Sequence, residues 1–120
     1  MKSKFLVPFE TAQLLKEKGY NSLCDCYYEP DKELYLGILV SNMDYEDCGN
    51  CSAPTYHEVV DWLEGKGLCI TCGEPLVKQF ASQYTATVLN NNTNEWCMCG
   101  IYPTREETLN VGILKALEML

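Results

Sequence analysis

The sequence predicts a single α+β domain over residues 1–120, in which helices pack on a mainly antiparallel sheet of about five strands. The length of 120 residues is typical of one domain. Hydrophobic residues make up 47% of the chain and charged residues 22%, which is the composition of a folded protein rather than of a disordered one. Amphipathic helical segments alternate with short aromatic and β-branched runs, so the predicted order of elements is αββαβββα.

The first helix is predicted over residues 8–18. Pro8 suits the first helical position, and Gly19 marks the end of the helix because glycine readily adopts the left-handed conformation found there. The residues that recur on its apolar face are Phe9, Ala12 and Leu15.

A hairpin is predicted next, because two apolar and aromatic runs, 24–29 and 33–40, flank the segment Pro30-Asp31-Lys32. Proline and aspartate are typical turn residues. The segment 41–52 that follows is rich in acidic residues, glycine and asparagine, so it is predicted to be a long exposed connection.

The second helix is predicted to begin at Thr55, since Thr55 and Glu58 have the spacing of a capping box. It should end at Gly65 or Gly67. We expect its apolar face to cover the sheet, with Trp62 as a large buried side chain and His57 solvated on the other side. The other apolar residues of this face are Tyr56, Val59, Val60 and Leu63.

Three strands and a final helix complete the predicted fold. The strands are Leu68–Cys72, Gln79–Leu89 and Trp96–Tyr102. The asparagine-rich segment 90–94 between the last two is predicted to be a hairpin tip, because asparagine tolerates left-handed conformations. The final helix opens at Pro103-Thr104, where Thr104 and Glu107 form a second capping box. Its apolar stripe contains Leu109, Ile113, Ala116, Leu117 and Leu120.

Charge and hydropathy limit the classes of partner. The net charge of −8 lacks the basic excess that neutralises phosphates, so nucleic acid is not an expected partner. The first ten residues contain too short an apolar run for a signal peptide, and the longest apolar stretch, 34–40, is too short to span a membrane. We therefore expect an acidic cytoplasmic protein whose partner is another protein, with its oligomeric state left open.

The eight cysteines occur in four close pairs, and in a reducing compartment they are not expected to form structural disulfides. Metal binding, redox chemistry and plain packing remain as alternatives. One alternative is a zinc-stabilised module, because two C-x2-C pairs separated by seventeen residues have tetrathiolate spacing. The four ligands would be Cys48, Cys51, Cys69 and Cys72. Against this alternative, a helix of about eleven residues between the pairs would hold its ends roughly 16 Å apart.

A second alternative is a thiol-redox protein that uses Cys48 and Cys51. A reactive thiol of this type is activated at a helix start, and Cys48 lies well before Pro54, so this alternative is weaker. The pairs Cys24/Cys26 and Cys97/Cys99 have the strand period of two, and each pair is predicted to pack as small apolar side chains on one face of a strand.

No catalytic, cofactor-binding or metal-binding residue is assigned from the sequence. His57 is the only histidine, so no histidine triad or cluster exists. The glycine patterns of phosphate-binding and dinucleotide-binding loops do not occur. Trp62, Trp96 and the tyrosines are predicted to pack in the core or on the sheet rather than to line a pocket.

Three segments resemble a family of short uncharacterised proteins found in anaerobic gut bacteria and their phages. They are Ser52–Leu63 with Lys66-Gly67, Tyr102–Leu109 and Phe9–Gly19. The resemblance implies a phage-related or prophage-derived accessory protein, and it implies no activity, cofactor or catalytic residue. Small size, acidity and the missing catalytic groups predict that the chain is a non-enzymatic cytosolic interaction or accessory protein.

Overall fold

The computed structural model describes residues 5–22, 24–40, 49–73 and 83–120, and its chain divides into two compact units, Met1–Thr55 and Tyr56–Leu120. The α+β class is confirmed. Within the described ranges, six strands form two antiparallel sheets of three strands each. The prediction of one sheet of about five strands is therefore wrong, because the alternation of residues identifies strands but does not specify which strands pair.

The first unit begins with helix α1, Phe9–Glu17, which confirms the predicted helix to within one residue at each end. Pro8 occupies the N-cap position with extended backbone (ψ 162°) rather than the first helical position. Gly19 ends the helix with φ +93°, a conformation that a side chain would disfavour. The buried residues of α1 are Phe9, Thr11, Ala12 and Leu15.

The predicted hairpin is confirmed as strands β1, Cys24–Tyr28, and β2, Leu34–Val40. At its turn, the backbone N–H of Glu33 donates to the Asp31 carboxylate at 2.8 Å, and Lys32 adopts φ +68°. Aspartate at this position stabilises the reversal by satisfying a backbone donor locally.

The segment predicted as an exposed connection contains a short strand at its end. Strand β3, Cys51–Ser52, is buried and pairs with β1, so that the sheet order is β2-β1-β3. The backbone N–H of Ala53 extends the contact by donating to the Cys26 carbonyl at 3.0 Å. Residues 41–48 of the same predicted connection lie outside the described residues.

The second unit begins with helix α2, Tyr56–Gly65, whose buried residues are Tyr56, Val59 and Leu63. His57 is exposed, as predicted. The expectation that Trp62 is buried is wrong, since its exposure is intermediate. Trp62 lies about 100° around the helix from Leu63, at the margin of the buried stripe, and the Lys66 ammonium lies 5.3 Å from the centre of its ring.

Strands β4, Leu68–Gly73, β5, Tyr84–Asn90, and β6, Glu95–Tyr102, follow in an antiparallel meander of order β4-β5-β6. Residues 79–82, predicted as the start of the middle strand, lie outside the described residues. The predicted hairpin tip between β5 and β6 is confirmed, and Asn94 there has φ +62°.

Helix α3, Arg105–Glu118, closes the unit and packs against all three strands of this sheet. The Thr104 hydroxyl accepts from the backbone N–H of Glu107 at 3.1 Å, which confirms the predicted N-cap. Helix α2 contacts β4 and α3. The two helices thus form one layer of a two-layer unit, and the sheet forms the other.

Candidate functional site

The second sheet has an inner face that contacts helix α3. A Cβ atom at Gly112 of α3 would lie 3.1 Å from Ile70 Cγ2 and 3.3 Å from Ala86 Cβ, so helix and sheet approach closely at this glycine. Ala86 and Val88 are fully buried beneath the helix. Because successive strand residues point to opposite sides, the residues between these positions lie on the other side of the sheet.

Three rows of residues run across that other side, and the strand register defines them. We call these residues the outer face. The rows are Cys69–Leu89–Trp96, Thr71–Thr87–Met98 and Gly73–Thr85–Ile101.

A β-bulge in β6 determines which residues join the last row. The pairing shifts between Thr87, which faces Met98, and Thr85, which faces Ile101, so β6 contains one extra residue between the two pairs. Gly100 accommodates the bulge with φ +92°, and its carbonyl accepts from the Thr85 hydroxyl at 2.7 Å. Without the bulge, Gly100 would take the place of Ile101 on the outer face.

Large apolar side chains are exposed on the outer face. Trp96 is 65% exposed and Met98 is 62% exposed, and both project from the same strand. Leu89 and Ile101 beside them are 38% and 39% exposed. Contiguous exposed apolar surface on a folded protein is typical of an interaction site. Trp96 therefore lies on the sheet, which is one of the two predicted locations, and not in the core.

The outer face carries no charge, although the chain contains 17 acidic and nine basic residues. Threonines, a cysteine and a glycine occupy the positions that the apolar residues do not. An antiparallel sheet with helices on one side usually presents polar and charged residues on the other. A face without charges can be removed from water without desolvating an ion, which favours its burial by another surface.

The pair Cys97 and Cys99 lies on the inner side of strand β6. Cys97 pairs with the inner-face residue Val88, and its thiol is hydrogen-bonded to the Cys99 thiol, which confirms that both point to one face. Burial, followed by the adjacent Cys97 thiol, raises the pKa of Cys99 to about 11. The Cys99 thiol is therefore protonated near neutral pH, and both cysteines act as small packing groups.

Cys51 lies in the buried strand β3, where burial raises the pKa of its thiol to about 11 and the nearby Lys16 ammonium offsets only part of this effect. The Lys16 ammonium itself donates to the Asn50 carbonyl at 2.6 Å. An attacking thiol requires a lowered pKa, so this environment favours a structural role for Cys51. Cys48 lies outside the described residues, and the thiol-redox alternative stays a prediction.

The zinc alternative receives no geometric support from the described residues. Cys69 belongs to the outer face, whereas Cys72 pairs with Ala86 on the inner face, so the two side chains leave β4 on opposite sides. Among the residues that the structure describes, no group of three or more histidine, cysteine, aspartate or glutamate residues could hold a metal ion. With Cys48 undescribed, the four-cysteine site stays a prediction.

Comparisons of the chain with protein-family profiles, with curated protein sequences and with solved structures find no match. Within the described ranges, no helix is long and apolar enough to cross a membrane. With no related protein for comparison, the role of the outer face has to follow from the chemistry of its own residues. Sequence reasoning missed it, although alternate positions of two strand segments, such as Thr85-x-Thr87-x-Leu89, lack charge.

Proposed function

We propose that the protein is a non-enzymatic interaction or accessory protein that binds another protein chain through the outer face of its second sheet. The exposed, uncharged outer face, with Trp96 and Met98 as its largest side chains, is the observation that carries this proposal. Cytoplasmic location belongs to the same proposal and rests on the charge and hydropathy described above, whereas a prophage or phage origin rests on the resemblance of the three segments named there.

The side chains of the outer face have the chemistry of protein interfaces. Aromatic residues and methionine are enriched at the centre of such interfaces, and tryptophan often contributes more to binding than its neighbours. Burying apolar area stabilises a complex by roughly 25 cal/mol per Å2 before the costs of association are subtracted. Burying Trp96 and Met98 together would therefore supply several kcal/mol of gross driving force.

The same chemistry favours a protein over a nucleic acid as the ligand. Phosphates are held by lysine and arginine side chains, and the rows of the outer face contain neither. The net charge of −8 adds long-range repulsion between the chain and a polyanion. The complementary partner is a protein surface that is mainly apolar and has few polar groups.

A photo-crosslinking experiment in the native cells tests the proposal. The photoreactive residue benzoylphenylalanine would replace Met98, and in a control variant it would replace Leu120, which is 44% exposed and lies two residues beyond the end of α3. We expect irradiation to give a discrete adduct between the Met98 variant and a protein chain, and a much weaker adduct from the Leu120 variant. Equal labelling at both positions, or no protein adduct at Met98, would overturn the proposal.

A further inference from the structure

We infer that the protein bound at the outer face is a second copy of this chain, packed face to face about a two-fold axis that runs parallel to β5. This inference rests on the proposed function and names its partner. It arises from the distribution of side-chain size across the sheet, which makes the outer face complementary to itself.

Side-chain size is greatest along one edge of the outer face and least along the other. Strand β6 supplies large residues, β5 supplies residues of intermediate size, and β4 supplies small ones. In each row the β6 residue is the largest, and the β4 residue is never larger than its β5 neighbour. The rows are Trp96, Leu89 and Cys69; Met98, Thr87 and Thr71, in which the two threonines are equal in size; and Ile101, Thr85 and Gly73. The outer face is therefore a wedge that is high along β6 and low along β4.

A two-fold rotation about an axis parallel to the strands matches each high edge with a low edge. The rotation exchanges left and right but keeps position along the strands, so β6 of one copy lies over β4 of the other. Trp96 then meets Cys69 of the second copy, and Met98 meets Thr71 of the second copy. Thr87 lies near the axis and meets its own counterpart.

The competing two-fold rotation, about an axis perpendicular to the strands, fits poorly. It would place β6 over β6, with large residues opposed, and β4 over β4, with a gap between the small residues. Packed sheets keep a nearly constant spacing of about 10 Å, and interiors leave few voids larger than a water molecule. Of the two axes, only the one parallel to β5 gives the three pairs of facing strands similar total side-chain volumes.

The charge distribution permits self-association at this surface and predicts its salt dependence. Two chains that each carry a net charge of −8 repel one another, but the outer face itself brings no like charges into contact. Salt screens the repulsion, since the Debye length falls from about 30 Å at 0.01 M to about 8 Å at 0.15 M ionic strength. The dimer should therefore become tighter as salt is added.

The area of the outer face limits the strength of the dimer. Three strands about 4.8 Å apart and roughly 20 Å long offer on the order of 300–500 Å2 per copy. A standard interface buries about 800 Å2 per partner, so this one belongs to the weak, concentration-dependent class. We expect a dissociation constant on the order of micromolar to hundreds of micromolar.

Sedimentation equilibrium between about 5 μM and about 500 μM tests dimer formation. We expect wild-type protein to change from monomer to dimer over this range and Trp96→Glu to weaken association at least about 10-fold. Leu120→Glu, which makes the same change of charge at an apolar site 44% exposed outside the outer face, should associate like wild type. A wild-type chain that is monomeric throughout the range would overturn the inference.

A charge-swap variant tests the pairing of β6 over β4. Met98→Lys and Thr71→Glu should each weaken the dimer, whereas the double variant should recover most of the loss, because each lysine would face a glutamate of the second copy. Circular dichroism establishes that each variant is folded. If the double variant forms a dimer no tighter than that of the single variant with the weaker association, the proposed axis is wrong.

The reactivity of Cys69 separates face-to-face packing from pairing of two β6 edges. Iodoacetamide labelling, resolved by peptide mass spectrometry, should slow severalfold at Cys69 as concentration rises through the dimerisation range, because Trp96 of the second copy covers it. Cys72, on the inner face of the same strand, is the internal reference. A dimer in which labelling of Cys69 does not change would assign association to a strand edge and overturn the inference.

The photo-crosslinking and sedimentation experiments together separate failure of this inference from failure of the proposed function. A Met98 adduct to a different protein, with a monomeric chain in solution, would retain the interaction function and refute self-association. Absence of both an adduct and a dimer would refute both.

Discussion

The close approach of α3 to its sheet leads to a prediction in which two known effects have opposite signs. Replacing Gly112 by alanine in a helix interior should stabilise the helix by about 1 kcal/mol, because glycine loses more backbone entropy on folding. The added methyl group would, however, lie 3.1 Å from Ile70 Cγ2 and 3.3 Å from Ala86 Cβ. Both distances are shorter than the approximately 3.5–4.0 Å at which carbon atoms attract.

Neither contacted atom can move away easily. Ala86 Cβ is fixed to the backbone of the central strand β5, and Ile70 is β-branched and stiff at χ1. Relief requires α3 to move by a few tenths of an ångström across the whole sheet, and overpacking of this kind costs about 1–3 kcal/mol. We therefore expect Gly112→Ala to lower the free energy of unfolding by about 1 kcal/mol after the helical gain is subtracted.

Urea unfolding followed by circular dichroism would measure this change. Gly65→Ala is a matched control, since no atom lies within 4 Å of a Cβ there, and it should leave stability unchanged or raise it by up to about 1 kcal/mol. In an Ala86→Gly background the 3.3 Å contact disappears, and the penalty of Gly112→Ala should shrink by at least about 0.5 kcal/mol. A stabilising Gly112→Ala in wild-type protein would refute the described helix-to-sheet distance.

Three further predictions concern stability. In urea melts, Leu63→Ala should lower the free energy of unfolding by about 2–5 kcal/mol, because Leu63 is fully buried. Trp62→Ala should lower it by less, and His57→Ala should change it by no more than about 0.5 kcal/mol. Thr104→Ala removes the α3 N-cap and should cost about 1 kcal/mol by the same assay. The Cys51 thiol has a pKa of about 11 when folded and an ordinary value of 9.0, so the unfolded chain loses its proton first and stability should fall as pH rises from 9 towards 11; Cys51→Ala should reduce that slope in melts at several pH values.

Local sequence signals predicted the helices and both hairpins because these features depend on neighbouring residues. A helix stop at Gly19, a turn at Asp31 and an N-cap at Thr104 each need only a few adjacent backbone groups, and the structure contains all three. Periodicity also located His57 correctly on an exposed helix face.

Features that depend on distant partners could not be predicted in the same way. Strand β3 is only two residues long, which is too short to show an alternating pattern in the sequence. It forms because β1 has an unpaired edge with which it can pair. The burial of Trp62 depends on the exact width of the contact between α2 and its neighbours, and apolar character alone overstates it. The exposure of Trp96 depends on which side of the second sheet the helices cover, and the strand pattern permits either side.

A deletion within a strand is usually more damaging than a substitution, and the bulge at Gly100 reverses this order. A substitution there meets a backbone conformation that side chains disfavour, since φ is +92°. Removal of the residue, in contrast, leaves a strand whose ordinary alternation still directs Met98 and Ile101 outwards and Cys99 and Tyr102 inwards. Deleting Gly100 should therefore destabilise the sheet less than replacing Gly100 with a larger residue. Natural variation in the length of β6 at this point would preserve the chemistry of both surfaces of the sheet.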